Sequence, residues 1–381
     1  MRPDILILGK ALGGGVLPGS SVEYTYDDLG RFASVGFSTN RAEYAYLPGS
    51  DLVSGYSIGD FRRSVFYETQ RNLIAAVTNS FGTNLVSAFD YASDILGRRV
   101  SRLDTFGGET TQNTFSYNDR SEVVSAAMGD HDYAYAYDPI GNRTSSTEDG
   151  ATAVYEANEL NQYAAIERPA GTEAPAYDDD GNMTATGDGW FYEWNGENRM
   201  VLASNAAHVV RYAYDARGRM VSKRVEGPEP SDKTQVWDGW NIILENDSGV
   251  PTVNVWGLDI DGTLQGAGGV GGLLAVLRME GTFTPDYDAN GNVTEYIATN
   301  GLIVAQYGYS AFGTRSTNTN QFSYQFCTKP FCFATGLSEY QFRSYDSGKG
   351  GWNSRDPIAE IKSILLYRQC NNDAINCVDR F

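Results

Sequence analysis

The sequence predicts an all-β chain, an antiparallel strip of repeated hairpins, and three observations carry that expectation. A short motif, aromatic-x-Tyr-Asp-x-x-Gly-Asn/Arg, recurs along most of the 381 residues. The chain holds 25 Tyr and 42 Gly, a pairing that suits pleated strands joined by turns with positive φ. Tyr or Phe alternates with small residues ahead of the Tyr-Asp step, which is the period-2 signature of a strand.

The clear copies are YTYDDLGR (24–31), YAYDPIGNRT (135–144), YDDDGNMT (177–184), FYEWNGENRM (191–200), YAYDARGRM (212–220) and YDANGNVT (287–294). Weaker ones are YASDILGRRV (91–100) and YNDRSEVV (117–124). With Tyr26, Tyr46, Tyr67, Tyr91, Tyr117 and Tyr137 as markers, the steps are 20, 21, 24, 26 and 20 residues. Each element of a unit has a mechanical reason. The aromatic stretch is a strand. Asp, as at Asp138, opens a turn by accepting backbone hydrogen bonds. Gly three residues on, as at Gly141, takes the left-handed conformation that closes a short hairpin loop. Asn or Arg begins the return strand. A unit of about 20 residues thus supplies two strands and two turns, and stacked units bury their aromatic faces on one another.

Charge excludes several partners. Lys and Arg number 29 against 48 Asp and Glu, a net charge of -19. No basic stripe exists to neutralise phosphates, so neither nucleic acid nor an anionic membrane surface is an expected partner. No run approaches the roughly 20 apolar residues of a membrane helix, so no membrane insertion is expected. The two histidines, His131 and His208, lie far apart, which excludes a multi-histidine metal site and disfavours a His-based triad. Asp-rich turns such as YDDDGN lack the spacing of an EF-hand loop, and no metal or cofactor is expected. Cys327, Cys332, Cys370 and Cys377, spaced C-x4-C and C-x6-C, fit no common zinc signature. They read as packed thiols, or as a disulfide within either pair in an oxidising compartment. Lys10 and the glycines after it interrupt the apolar start of the chain, so no signal peptide is read there.

The repeat units resemble the YD repeats of the RHS and teneurin-related families, over residues about 22 to 381. The strongest part is C-terminal. VWGLDIDGTLQGAGGVGGLLAV (255–276) looks like the glycine-rich stretch that precedes the family core, and YDANGNVTEYIATNGLIVAQYGYSAFG (287–313) follows in the family order. FSYQFCTKPFCFATGLSEYQFRSYDSGKGGWNSRDPIAE (322–360) is similar to the RHS repeat-associated core. The resemblance implies a strip that curls into a partial β-cocoon shell, with the C-terminal core module plugging one end. It implies a structural shell or scaffold of a secreted bacterial polymorphic toxin. The implied partners are a C-terminal toxin cargo and its secretion or delivery machinery, and the implied location is secreted or at the cell surface.

In many members the core cuts its own chain, using two aspartates. Mapped residue by residue, these are Asp356, ahead of Pro357, and Asp379, in Cys377-Val378-Asp379. Two close carboxylates cannot both ionise cheaply, so one holds a proton while the other activates water. The chain departs from the pattern at three places. Ala359 stands for the family's Gly, Arg380 stands for its Pro, and Ser347 follows Asp346 in place of Pro. The expectation is a chain that does not cut itself, with no cargo after Phe381, a partial strip with open edges, and Asp356 as a turn residue.

Residues 3–15, PDILILGKALGGG, resemble the cofactor-lysine segment of class III aminotransferases of the ornithine type, with Lys10 as the Schiff-base lysine and Gly13 to Gly15 as its loop. The repeats that follow supply no phosphate cradle, pyridinium partner or substrate clamp, so a fusion scar is expected. The expected organisation is 1–21, the aminotransferase-like scrap; 22–321, the YD-repeat shell; and 322–381, the core. Two other function classes compete. One is a cell-surface protein that stacks glycans on aromatic faces such as Trp190 and Trp194. The other is an enzyme, either a self-cleaving core or an aminotransferase remnant.

Overall fold

The turn chemistry repeats almost unchanged along the chain. In the first copy Asp27 Oδ1 accepts the N–H groups of Leu29 and Arg31, at 3.0 and 2.8 Å. The Arg31 guanidinium returns to Asp27 Oδ2 at 2.8 Å. Asp94 with Arg98 and Asp215 with Arg219 do the same. Asn142, Asn182 and Asn292 replace the arginine at Asp138, Asp178 and Asp288. The residue after the motif glycine is therefore Asn or Arg because its side chain must reach back four residues to the carboxylate. The motif glycines sit in the left-handed region, with φ of 78° at Gly30 and 83° at Gly97.

A computed structural model describes residues 5–7 (backbone only), 21–315, 322–358 and 366–379. The aminotransferase-like residues Lys10 and Gly13 to Gly15 lie outside the described residues, as do Ala359, Arg380 and Phe381. The described backbone is all-β, as expected. Every strand pairs antiparallel with its sequence neighbour, giving an open sheet of 16 strands and an open sheet of 13, followed by a small sheet of four. The first sheet runs from Ile5–Ile7 to Gly171–Glu173 and the second from Ala176–Tyr177 to Ile303–Gln306. The break between them falls at Pro175, which has no N–H to give a ladder.

One irregularity recurs in nearly every unit. The register slips by a residue just before the aromatic that precedes the turn, at Tyr26, Tyr46, Tyr67, Tyr117, Tyr137, Tyr177, Trp194, Tyr214, Trp237, Trp256 and Tyr287. Such bulges bend a strand and increase its twist. The aromatic then leaves its own ladder and bonds to the strand on its other side. Tyr46 Oη donates to Phe32 O at 2.6 Å, two residues beyond the last ladder pair, Ser34 with Glu43. Tyr67 to Val53 O, Tyr137 to Val123 O, Tyr214 to Met200 O and Tyr287 to Leu273 O repeat this, each spanning 14 residues. Trp256 does the same with its indole N–H.

Tyr91 departs from the marker pattern. Its strand bulges between Ala92 and Ser93, so Ser93 stands where the other units have an aromatic. Tyr91 instead faces the other sheet, where its hydroxyl accepts the Ala289 N–H at 2.9 Å.

The two sheets pack face to face. Val35, Phe37, Tyr56 and Phe61 of the first form one apolar cluster with Val255, Leu274, Ala275 and Ile297 of the second. A polar seam runs beside it. Arg63 donates to the carbonyls of Tyr287 and Asp288 at 2.5 and 3.1 Å, and Asn79 Nδ2 donates to Tyr287 O at 3.3 Å.

A Cβ at Gly30 meets nothing within 4 Å, so its substitution reports backbone conformation alone. Gly30→Ala should cost about 1 kcal/mol in denaturant unfolding. Gly30→Asn should cost less than half of that, because Asn161 and Asn198 hold the same turn position with φ of 60° and 58°. Equal losses for the two variants would contradict this account of the turn.

Candidate functional site

The four short strands Phe331–Cys332, Leu337–Glu339, Ser344–Asp346 and Gly351–Trp352 form the centre of the C-terminal module. Aromatic packing holds it together: Trp352 meets Tyr340 and Tyr345 edge-on or tilted, at 4.8 and 5.3 Å between ring centroids, and Phe326 stacks on Tyr345 at 6.1 Å. The module sits against both sheets. Arg143 of the first sheet, 5% exposed, donates to Lys349 O at 3.1 Å and lies over the Phe312 and Tyr135 rings at 4.3 and 4.8 Å. Arg199 of the second donates to Phe342 O at 3.2 Å.

A further anchor is ionic. Lys223 Nζ lies 2.8 and 2.6 Å from the two oxygens of Glu339, with both side chains buried. Burial alone lowers a lysine pKa, but the Glu339 carboxylate reverses this and raises Lys223 above the ordinary lysine value. A second buried lysine, Lys329, is held differently. Its ammonium donates to Gly268 O at 2.7 Å and to Gln341 Oε1 at 3.2 Å, and burial lowers its pKa to about 8.

The two aspartates singled out in the sequence come together, but on a cation. Arg343 lies between them, 3.1 Å from Asp356 Oδ2 and 3.3 Å from Asp379 Oδ2. The Arg343 side chain is buried, with its guanidinium stacked over Trp352 at 4.1 Å. Burial lowers the Arg343 pKa, while Asp379 and Asp356 oppose that shift. Asp356 Oδ1 also accepts the Ile358 N–H at 2.9 Å, the turn contact expected ahead of Pro357. The Arg343 charge between them offsets the repulsion of the two carboxylates.

A pair of buried carboxylates occurs elsewhere, at a place the motif reading passed over. Asp286 and Glu295 are cross-strand partners, and both are fully buried at the seam of the two sheets. Ser87 Oγ and Gln306 Nε2 donate to Glu295 at 3.1 and 3.4 Å. Among the described residues, neither oxygen of Asp286 has a hydrogen-bond partner. Arg63, Asn79 and Asp104 complete the polar surroundings. Burial, then the Glu295 charge, push Asp286 well above the carboxylate range, and burial raises Glu295 to about 7. The only sequence signal was an acid at a strand position beside the motif tyrosine, Asp286-Tyr287.

A cavity of about 230 Å³ lies between the sheets, lined by Phe89, Arg102, Asp104, Tyr307, Tyr309 and Phe326. An open groove of about 770 Å³ runs past Lys223, Tyr296 and Phe331. A 100-residue domain has a radius of gyration of about 13 Å, so neither space encloses one.

Two outcomes follow. Lys223→Met leaves Glu339 buried and unpaired, and should cost about 3–5 kcal/mol in chemical denaturation. Adding Glu339→Leu should restore most of that loss, and no recovery in the double variant would remove the pair from the account. Glu295 has a folded pKa above its unfolded one, so its stabilisation is full below the unfolded value near 4.5 and is lost as pH rises through about 7. Asp286 acts in the same direction. The unfolding midpoint should therefore fall between about pH 5 and 8 by about 3 kcal/mol equivalent, and Asp286→Asn should flatten that slope. An unchanged slope in Asp286→Asn would contradict the assignment.

Known proteins share this architecture. The teneurin YD-shell family model matches residues 15–229. The tRNA3(Ser)-specific nuclease WapA of Bacillus spizizenii is 25% identical over 261 residues, covering 64% of this chain and 10% of that protein. The tRNA nuclease WapA of Bacillus subtilis is 24% identical over the same length and shares. The chain thus spans about a tenth of these curated relatives. Among solved structures, a TcdB2-TccC3-TEV crystal structure superposes with a TM-score of 0.67 at 15% identity, covering 94% of this chain and 21% of that one. A TcdB2-TccC3 structure gives a TM-score of 0.66 at 15% identity, covering 94% and 22%. The bulged YD hairpins, the facing sheets and the family match over more than half the chain lead to one assignment: this chain belongs to the teneurin YD-shell family.

Proposed function

We propose that this chain is a wall-and-plug segment of the shell of a bacterial RHS-type polymorphic toxin. The observation that carries the proposal is the seating of the C-terminal module. It is anchored to the first sheet through Arg143 and to the second through Lys223 and Arg199, as a plug is fixed to its walls. The relatives agree in kind, since the similar WapA proteins are named as tRNA nucleases and the chain resembles a small part of each. The partners proposed are a toxin cargo C-terminal to the module and the machinery that delivers it. The proposed location is outside the producing cell or on its surface.

The chain's share of its relatives, and spaces too small for a domain, support the reading that enclosure belongs to a larger shell of which this chain is a part. The test is the coding sequence that follows the module in the genome. Expressed alone in a bacterial cytosol, it should arrest growth, and a small neighbouring gene should relieve the arrest. A harmless or unrelated downstream sequence would defeat the proposal.

A second reading concerns Asp356 and Asp379. We propose that in this chain they hold the module's own segments together through Arg343 and do not cut the backbone. What supports this reading is that both carboxylates are engaged by the Arg343 guanidinium, at 3.1 and 3.3 Å, and that Asp356 also holds the turn ahead of Pro357. The purified chain should keep its intact mass of 41.7 kDa on storage. A discrete shorter product, lost in Asp356→Asn, would overturn this reading.

The glycan reading has less support. Trp194 is a bulge aromatic whose indole N–H donates to Met183 O at 2.7 Å, and Trp190 is stacked between Tyr192 and His208. Both rings already serve the wall.

A further inference from the structure

Side chains alternate along a strand, so Arg102, Asp104 and Phe106 share one face of Arg99–Phe106. Register sets Phe89 opposite Asp104, and Asn113 opposite both Arg102 and Met128. The Phe89 and Phe106 rings meet edge to face, 5.5 Å between centroids. This face of the first sheet lines the cavity of about 230 Å³ between the walls. Gly308, Ser310 and Ala311, just past the last strand of the second sheet, line it too, as does Ala374 of the module. Such small residues leave the space unfilled. Phe115, Tyr307, Tyr309 and Phe326 supply further rings, while the half-buried Met128 and the exposed Gln306 mark the side open to water.

The charges around this space cancel, since Arg99 and Arg102 line it with Asp104 and Asp288. Arg102 Nε and Nη2 donate to the two oxygens of Asp104, at 2.6 and 2.7 Å, and Nη1 lies 3.4 Å from Asp288 Oδ2. Arg99 donates to Ile375 O at 2.8 Å and to Ala289 O at 3.3 Å. The Asp288 carboxylate serves its own turn, accepting the Asn290 and Asn292 N–H groups and the Asn292 amide. Asp104 is the acid with capacity to spare. Arg102 takes one lone pair on each of its oxygens, and an ionised carboxylate offers about four.

We propose that this cavity is a binding site for a neutral aromatic compound about the size of indole, whose single N–H or O–H donates to Asp104. The rings of the wall pack on the ligand's faces and edges. The Asp104 carboxylate fixes which way round it sits, as a few placed polar groups do in apolar sites.

Size, charge and hydrogen bonding set the class together. A dry cavity of about 150 Å³ holds benzene, so about 230 Å³ suits a compound half as large again. A charged ligand would enter surroundings whose own charges already cancel, and would leave its hydration shell without a counter-ion in return. A sugar would bring several hydroxyls to a wall made mostly of rings, leaving them unpaired. This inference does not depend on the toxin reading, because it concerns only the cavity and what fills it.

The test uses the full chain with indole as the probe, read by titration calorimetry and by hydrogen-exchange mass spectrometry. Indole should saturate one site with a Kd of about 0.1–1 mM. Blocking the donor in 1-methylindole, or adding a charge in indole-3-acetate, should weaken binding at least about tenfold. Ala311→Leu and Ala374→Leu each fill part of the cavity and should weaken it by at least about as much. Bound indole should slow exchange in Arg99–Phe106, in Glu109–Tyr117 and in residues 305–311 of the unaltered chain, a readout that needs no variant to fold. No saturation by about 10 mM indole would overturn the proposal. So would equal binding of 1-methylindole or glucose, undiminished binding in a folded variant with the cavity filled, or protection that appears only in other segments.

Discussion

Where the ladder between two strands stops short of the rim, a tyrosine hydroxyl or a tryptophan N–H takes the next carbonyl, and the shape of both walls follows from that substitution. At Tyr46, Tyr67, Tyr137, Tyr214 and Tyr287 the bond spans 14 residues and begins just after a bulge. The bulge turns the aromatic out of register, and the side chain then fills the gap that the diverging strands leave. A wedge is thereby built into each unit, and repeating it along the strip adds to the twist the sheet already has. The carboxylate turn beside it closes the same rim. Arg31, Arg98 and Arg219 hold their own aspartates and also reach the next turn, about one unit further on, at Ser50 O, Asn118 O and Gly239 O.

The module is seated against both walls with charge as well as aromatic bulk. Burying a lysine or an arginine is costly unless a partner is placed on it. The chain meets that requirement with Glu339 on Lys223 and with two aspartates on Arg343. The Lys223–Glu339 pair fixes where the module sits, since a shift of one residue would strand a buried charge, and the Arg343 pairs tie the module's own segments together. The seam between the walls is the opposite case. Asp286 faces Glu295 across the strands with both side chains buried, and burial together with the neighbouring acid raises the Asp286 pKa.

The elements read directly from the sequence were those governed by local chemistry. Asp138 and Gly141 behave as expected because a turn needs only its own few residues. Tyr91 was misplaced as a unit marker because aromatics occupy both the bulge and the inner strand positions, and only pairing register separates them. The meeting of Asp356 with Asp379 followed from resemblance, but the arginine between them did not, because Arg343 lies in a different strand-to-strand connection. Lys223 and Glu339 are 116 residues apart, and nothing local links them. Asp286 and Glu295 each look unremarkable in the sequence and become a pair only through the register of their strands.

The central claim is that the module and the two walls form one cooperative body, joined by the buried anchors. Hydrogen-exchange mass spectrometry of the full chain tests it most directly. Residues 337–346 of the module should exchange with the same opening energy as the wall strands Val123–Met128, Met200–Ser204 and Val293–Ala298. Lys223→Met should release all of them together. A module that exchanges far faster than the walls, leaving their protection intact in that variant, would contradict the account.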